Sequence, residues 1–114
     1  MKRSDSLKRK KEFRYTYRVG KNTGHKLMAL VHARSRLPEP RIGFSVSKKL
    51  GTAVTRNRIK RRMREAVTPL IPSICGNVNI IFIAREPIKE AAFEDIRNAM
   101  QNTLQRSGLL KPTV

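Results

Sequence analysis

The residues of this chain best suited to chemistry are cationic, and they are concentrated in residues 48–64. This stretch contains eight Lys or Arg side chains and no Asp or Glu. Guanidinium and ammonium groups bind phosphate oxygens, so their chemistry is the neutralisation and positioning of a polyanion. The apolar residues of the stretch and its continuation recur with a helical period and form one stripe: Ile59, Met63, Ala66, Val67 and Leu70. The pattern therefore predicts a folded basic helix and not a disordered tail.

The charged side chains of this basic helix are predicted to form two rows beside the apolar stripe. The first row has four-residue spacing and consists of Arg56, Lys60 and Arg64, with Asn57 nearby. The second row, with Arg58 and Arg62, lies toward the other flank. Because residues four apart on a helix are neighbours, each row is continuous. The two rows could contact two different stretches of polyanion.

The charge of the whole chain is distributed unevenly. The chain has 26 Lys and Arg against 8 Asp and Glu, a formal net charge of +18. Residues 1–64 hold 21 of the basic and 3 of the acidic side chains, whereas residues 65–114 hold five of each. This asymmetry indicates an amino-terminal half that faces nucleic acid, with a solvated charged face as the alternative interpretation.

Other kinds of site have little support. The acidic residues of the basic half are scattered, and His25 and His32 lack ligand-like spacing to any carboxylate cluster, so neither a self-sufficient nuclease nor a metal site is expected. Cys75 is the only cysteine, which excludes an intrachain disulfide and is compatible with a reducing compartment. The longest uncharged apolar stretch, residues 80–84, is too short to span a bilayer. We expect one domain, residues 1–114, in a soluble cytoplasmic protein with no membrane association.

The remaining pattern predicts an α+β fold. Helices are expected over residues 7–19, closed by Gly20, and over residues 88–106; strands are expected over residues 25–33, 41–47 and 77–85, the last of them central and buried on both faces. Thr52 is the expected N-cap of the basic helix, which Pro69 and Pro72 end. Residues 41–47 alternate between apolar side chains and small ones, and the small face could admit a ligand backbone.

Two aromatic residues of the first helix, Phe13 and Tyr17, are one turn apart and share a face flanked by cations. Both rings could pack against a sheet. They could equally stack on unpaired bases, which is the common use of exposed aromatic faces in RNA recognition. The sequence pattern leaves both interpretations open.

These motifs, in this order, resemble the bacterial ribonuclease P protein subunit. The resemblance rests on residues 45–54 (SVSKKLGTAV), residues 56–61 (RNRIKR) and residues 64–66 (REA), supported by Phe13 and Tyr17 and by residues 81–85 (IFIAR). It covers nearly the whole chain. Thr52 stands where the family usually has Asn, and Val31 and His32 stand where relatives place a further aromatic residue; contact with RNA from these positions is left open.

The resemblance implies a two-layer α/β sandwich of the ribosomal protein S5 domain 2-like type, with about four strands and three helices. It also implies a left-handed βαβ crossover through the basic helix, against the general rule of handedness. The implied function is that of the protein subunit of a ribozyme, which removes the 5′ leader from precursor tRNA. Catalysis would belong to the RNA subunit and its Mg²⁺. The implied partners are the ribonuclease P RNA and precursor tRNA, with no protein partner required.

The resemblance also implies a role for individual residues. Those bordering the cleft that binds the single-stranded leader would be Phe13, Tyr17, Arg56, Asn57, Lys60 and Arg64. Those facing the catalytic RNA would be Lys48, Lys49, Arg58, Arg61 and Arg62. The competing hypothesis is a basic ribosomal or RNA-chaperone-like protein without a role in cleavage, for which the Arg-Asn-Arg helix and the paired aromatic residues have no particular purpose.

Overall fold

The computed structural model of the chain describes residues 1–112. Its helices and strands, in chain order, are α1 (Lys10–Val19), β1 (Lys21–Gly24), β2 (Met28–Arg34), β3 (Arg41–Ser45), α2 (Ala53–Val67), β4 (Val78–Ala84) and α3 (Phe93–Arg106). Short 3₁₀ turns at Arg3–Asp5, Lys48–Leu50, Thr68–Ser73 and Glu86–Glu90 connect them. The predicted α+β class is confirmed.

The four strands form one mixed sheet in the order β1-β2-β4-β3. β1 pairs with β2 and β2 with β4 in antiparallel fashion, whereas β3 and β4 are parallel. Because parallel neighbours cannot be joined by a tight turn, the chain crosses over between β3 and β4 through α2. This is a βαβ unit, and it places the basic helix next to the outer strand β3. β4 is an inner strand with nearly every side chain buried, as its apolar pattern predicts.

The main hydrophobic core lies between one face of the sheet and the helices α2 and α3. Register places Leu30, Phe82 and Phe44 side by side on this face. The apolar stripes of the two helices cover them, with buried side chains that include Met63 and Leu104. Each fully buried side chain of this size stabilises the fold by about 1.5–3 kcal/mol relative to its exposed state. The sheet and this helix pair form the two layers of the predicted sandwich, and α1 lies outside them.

Helix α1 packs on the opposite face of the sheet. Thr16 is its fully buried residue, and the Thr16 hydroxyl donates a hydrogen bond of 2.8 Å to the Glu12 carbonyl. A side chain at Gly20, directly after the helix, would collide with the Thr16 carbonyl oxygen and with Val31. Gly20 therefore ends α1 by close packing, since its backbone is extended and not left-handed.

The predicted start of the first helix is wrong by three residues. Residues 7–9 are extended because the Leu7 amide donates a 2.9 Å hydrogen bond to the carbonyl of Ile42, and Ser6 forms a parallel bridge with the same residue. The N-terminal segment thus adds to the outer edge of β3. Its partner lies 35 positions away in the chain, so local periodicity could not indicate the pairing.

Other boundaries also differ from the predicted ones. Strand β1 was not predicted, because its sequence, KNTG, lacks an apolar pattern and depends on pairing with β2. The strand predicted over residues 25–33 begins at Met28, and β3 ends at Ser45. The last helix begins at Phe93 and not at residue 88, because Pro87 lies within a 3₁₀ turn, Glu86–Glu90, that precedes it.

Candidate nucleic-acid interface

A short, rigid connection presents the amino-terminal end of α2. Leu50 is buried and anchors the 3₁₀ turn Lys48–Leu50 to the core. Gly51 then adopts φ +135°, a conformation that side chains rarely tolerate. The predicted N-cap is confirmed, since the Thr52 hydroxyl oxygen accepts a 3.4 Å hydrogen bond from the Thr55 amide. Anchor, glycine and cap together fix the direction of the basic helix.

The predicted apolar stripe of α2 is buried at Ile59, Met63, Ala66 and Val67, and Leu70 packs against the core from the following 3₁₀ turn. With this stripe facing inward, the exposed surface of the helix is formed mainly by cations. The first turn contains no acidic residue to balance the positive end of the helix dipole, and Lys48 and Lys49 lie just before it. This arrangement costs stability in the isolated protein and favours a bound anion.

Carboxylates do not neutralise these cations. Within residues 1–112 the ion pairs join Arg9 to Glu12, at 3.9 Å, and Lys89 to Glu86, at 3.3 Å. Neither pair includes a residue of α2. The positive charge of the helix is thus available to an external partner.

A cavity of about 270 Å³, the β3-edge cavity, lies beside α2, α1 and the outer strand. Its lining includes Phe13 from α1 and both Lys60 and Arg64 from α2, so the structure brings these three predicted site residues together. Phe13 covers Gly43 so closely that a Cβ at Gly43 would collide with its ring. The small face of β3, which the sequence suggested could admit a ligand backbone or face solvent, is filled at Gly43 by this ring.

The other predicted leader-cleft residues do not line this cavity. Tyr17 is 44% exposed, and its ring centroid is 6.5 Å from that of Phe13 at an interplanar angle of 40°. Arg56 and Asn57 lie one helical turn before Lys60. Asn57 is exposed, whereas Nε of Arg56 is buried and has no hydrogen-bond partner within residues 1–112. Three of the six predicted leader-cleft residues thus line the cavity, and Tyr17 lies beside one of them, Phe13.

The residues predicted to face the catalytic RNA divide into two groups. Lys48, Lys49, Arg58 and Arg61 are exposed. Arg62 is half-buried and donates a 2.9 Å hydrogen bond to the carbonyl of Ala91, just before α3. This bond holds α2 against the segment leading into α3, so Arg62 has a structural role whether or not it contacts RNA.

Sequence reasoning missed the contribution of the N-terminal segment to the β3-edge cavity. Met1, Ser6, Leu7 and Lys8 line it together with Gly43. Lys8 is exposed and adds a third cation to those of α2. The basic composition of residues 8–11 was the one sequence signal for a role of this segment in binding. Its place beside the cavity could not be predicted, because it depends on the pairing of Leu7 with β3.

The two histidines lie away from this interface. Nδ1 of His25 accepts a 3.0 Å hydrogen bond from the Leu27 amide. Burial lowers the pKa of His25, with smaller contributions from Arg106 and Arg85; burial and then Lys21 lower the pKa of His32.

Across residues 1–112, no group of three or more His, Cys, Asp or Glu side chains could hold a metal ion. No helix in that range is long and apolar enough to cross a membrane.

The mixed sheet, the crossover through α2 and the unneutralised cationic rows define a small basic α+β protein with a surface for polyanions. Comparison with known protein families identifies which family of such proteins this chain belongs to. The chain belongs to the ribonuclease P protein family, because the family model described as Ribonuclease P matches residues 1–108.

Individual relatives agree with this assignment. The ribonuclease P protein component of Bacillus cereus strain B4264 is 36% identical over 110 residues, which cover 96% of each chain. The RNase P protein of Staphylococcus aureus superposes with a TM-score of 0.85 at 30% identity, covering 94% of this chain and 98% of that one. The RNase P protein from Thermotoga maritima, in complex with 1-(4-fluorophenyl)-2-thiourea, superposes with a TM-score of 0.80 at 26% identity. The superposition covers 88% of this chain and 97% of that one. The resemblance seen in the sequence is confirmed, and with it a role in tRNA processing that involves an RNA partner.

Proposed function

We propose that this ribonuclease P protein subunit binds the catalytic RNA with one surface and the single-stranded 5′ leader of precursor tRNA with another. In this way it supports the endonucleolytic cut that produces the mature tRNA 5′ end. It would act as a single RNA-binding domain in the cytoplasm, with no protein partner required. The observation that carries the proposal is the meeting of Phe13, Lys60 and Arg64 at one cavity beside an unneutralised basic helix.

The proposed leader site is the border of the β3-edge cavity. It comprises Phe13, Tyr17, Arg56, Asn57, Lys60 and Arg64. A leader is unpaired, so its bases can stack on the aromatic rings while the cations of α2 contact its phosphates. Neither kind of contact depends strongly on base identity, and we expect modest preference for leader sequence.

The proposed surface for the catalytic RNA is the 3₁₀ turn and the opposite flank of α2. It comprises Lys48, Lys49, Arg58, Arg61 and Arg62. The first four side chains are exposed and have no carboxylate partner within residues 1–112. Contacts of this kind neutralise phosphates and fix orientation, which matches a positioning role.

Cleavage itself is assigned to the RNA subunit in this proposal. Mg²⁺ held mainly by that RNA would supply the attacking hydroxide and stabilise the leaving oxygen. The residues of this chain would hold the leader and reduce the repulsion between two RNA backbones. Neutralisation by fixed protein cations substitutes for part of the Mg²⁺ that the RNA would otherwise need, so the protein should lower the Mg²⁺ requirement.

Reconstitution tests the proposal directly. Purified protein and a bacterial ribonuclease P RNA are incubated with precursor tRNA, separately and together, over a series of Mg²⁺ concentrations. We expect the protein alone to leave the precursor intact, and the particle to cleave it at lower Mg²⁺ than the RNA alone. Robust cleavage by RNA-free protein, or a particle no better than the RNA, would contradict the proposal. A ribosomal or chaperone-like protein would give the second result.

A further inference from the structure

A second cavity, the α1–β4 cavity, lies on the other side of α1 from the β3-edge cavity and has a volume of about 600 Å³. Helix α1 supplies most of its lining, with Lys11, Glu12, Arg14, Tyr15 and Arg18, and the sheet supplies Asn79. None of these residues lines the β3-edge cavity. The volume lies within the range of about 300–1,000 Å³ that is usual for small-ligand sites.

Asn79 is the unusual residue of this cavity. It lies in the inner strand β4, is only 6% exposed, and its side-chain oxygen is buried without a hydrogen-bond donor anywhere in residues 1–112. A buried acceptor without a partner costs about 1–3 kcal/mol, and a core strand would be more stable with an apolar residue here. Its cross-strand neighbours on the same face are Ala33 and Arg41.

The rest of the lining suits one kind of ligand. Lys11, Arg14 and Arg18 are exposed cations, while the nearby carboxylate of Glu12 is within 3.9 Å of Arg9. Tyr15 is 39% exposed and offers an aromatic surface. Cations attract a phosphate, an aromatic ring stacks on a base, and an amide can hydrogen-bond to a base edge. These three chemistries occur together in a nucleotide.

We propose that the α1–β4 cavity binds one unpaired RNA nucleotide, with the base on Tyr15 and hydrogen-bonded to Asn79, and the phosphate against Arg14 and Arg18. The site is separate from the proposed leader cleft, and helix α1 would contact RNA on both of its flanks. The nucleotide could belong to the catalytic RNA or to the precursor tRNA. The naming of these two RNAs rests on the function proposed above. The binding of a nucleotide in the cavity does not.

The first experiment uses the isolated protein and a 5′-phosphorylated adenosine dinucleotide. Nuclear magnetic resonance follows the side-chain amide of Asn79 and the backbone amide of Tyr15 during titration. We expect saturable shifts at both. Shifts confined to the region of Phe13, Tyr17 and Asn57 would overturn the proposal.

Variants on the two sides of α1 provide the controls. Tyr15→Ala should weaken the binding measured at Asn79 by about 5- to 150-fold, the usual effect of losing one base stack, whereas Tyr15→Phe should retain it. Asn79→Leu keeps the volume and removes the amide, and should weaken the binding measured at Tyr15. Tyr17→Ala, on the leader side, should leave the Asn79 titration unchanged. Equal affinity for wild type and Tyr15→Ala would refute the site.

The second experiment identifies the source of the nucleotide. A photoreactive benzophenone amino acid replaces Tyr15, the particle is assembled with its RNA and precursor tRNA, and the crosslinked RNA is identified. A crosslink to the catalytic RNA or to the precursor supports the proposal and names the source. The same amino acid at Tyr17 controls for assembly. Crosslinking from position 17 with none from position 15 would overturn the proposal even if the particle is active.

Discussion

The ring of Phe13 packs on the sheet and also lines the β3-edge cavity. The sequence pattern left packing and stacking open, and the geometry combines the two: the ring covers Gly43 and also lines the cavity with Lys60 and Arg64. Tyr17, one turn later, is exposed, whereas Phe13 is half-buried. The pair therefore separates the two effects experimentally.

Phe13→Ala should lower both stability and leader affinity. If the ring stacks on the leader, the affinity advantage of precursor over mature tRNA should fall by about 1–3 kcal/mol. The melting temperature should fall as well, because the packing on Gly43 is lost. Tyr17→Ala is the matched control and should reduce the precursor-to-mature ratio with little thermal effect. A melting-temperature change for Phe13→Ala with an unchanged ratio would remove Phe13 from the proposed site.

The lowered pKa values of the two histidines predict how the free energy of unfolding depends on pH. Burial, together with nearby cations, lowers the pKa of His25 and His32 below the ordinary value of 6.5. The unfolded chain therefore binds these protons more readily than the folded chain, and stability should fall as the pH drops below about 6.5. Urea unfolding at pH 7.5 and pH 5.5 measures the difference. We expect the free energy of unfolding to differ less between the two pH values in the double variant His25→Gln with His32→Gln. If the variant and the wild type show the same difference, other titratable groups cause the effect.

Among the elements, α2 was the easiest to predict. Its apolar stripe has the helical period and its cap is local, so both follow from neighbouring residues. Strand β1 was missed because KNTG lacks an apolar pattern, although its partners in β2 are close in sequence. The helical start at residues 7–9 was wrong for another reason: the Leu7 amide bonds to Ile42, far along the chain. The Arg62 bond to Ala91 is similarly remote. Local periodicity carries no information about such partners, and the crossover was expected only from the family resemblance.

The two flanks of α2 should have different effects when mutated. Arg58→Ala with Arg61→Ala should mainly weaken assembly with the catalytic RNA, because both side chains are exposed and neither lines the β3-edge cavity. Lys60→Ala with Arg64→Ala should mainly weaken precursor affinity in the assembled particle. Arg62 is left intact because its bond to Ala91 would add a stability effect. Equal losses in both assays for both pairs would show that the flanks share one function.

For the whole molecule, the dominant property is a net charge of +18 with few internal ion pairs in the described residues. Like charges this dense repel one another and destabilise the compact state. Any polyanion that binds the folded protein more tightly than the unfolded chain offsets this cost. Stability should therefore depend on the anions present.

Tripolyphosphate should raise the melting temperature by about 10 °C, because an anion at about 100 times its dissociation constant stabilises the folded state by about 2.7 kcal/mol. Sodium chloride at the same ionic strength is the control for screening and should have a smaller effect. The double variant Lys60→Ala with Arg64→Ala should respond less than the wild type. Equal shifts with both salts would mean that screening, and not binding, is responsible.

The strand order has a consequence for how the chain folds. β2 and β3 are not neighbours; each pairs with β4, the last strand in the sequence. Until β4 and α3 have formed, β3 lacks its partner strand and the apolar stripe of α2 lacks the helix that packs against it. Such long-range pairing raises the contact order, which slows folding in small proteins. During synthesis, the basic helix therefore leaves the ribosome before the strand that completes its core, and the sheet can close only when β4 has followed it.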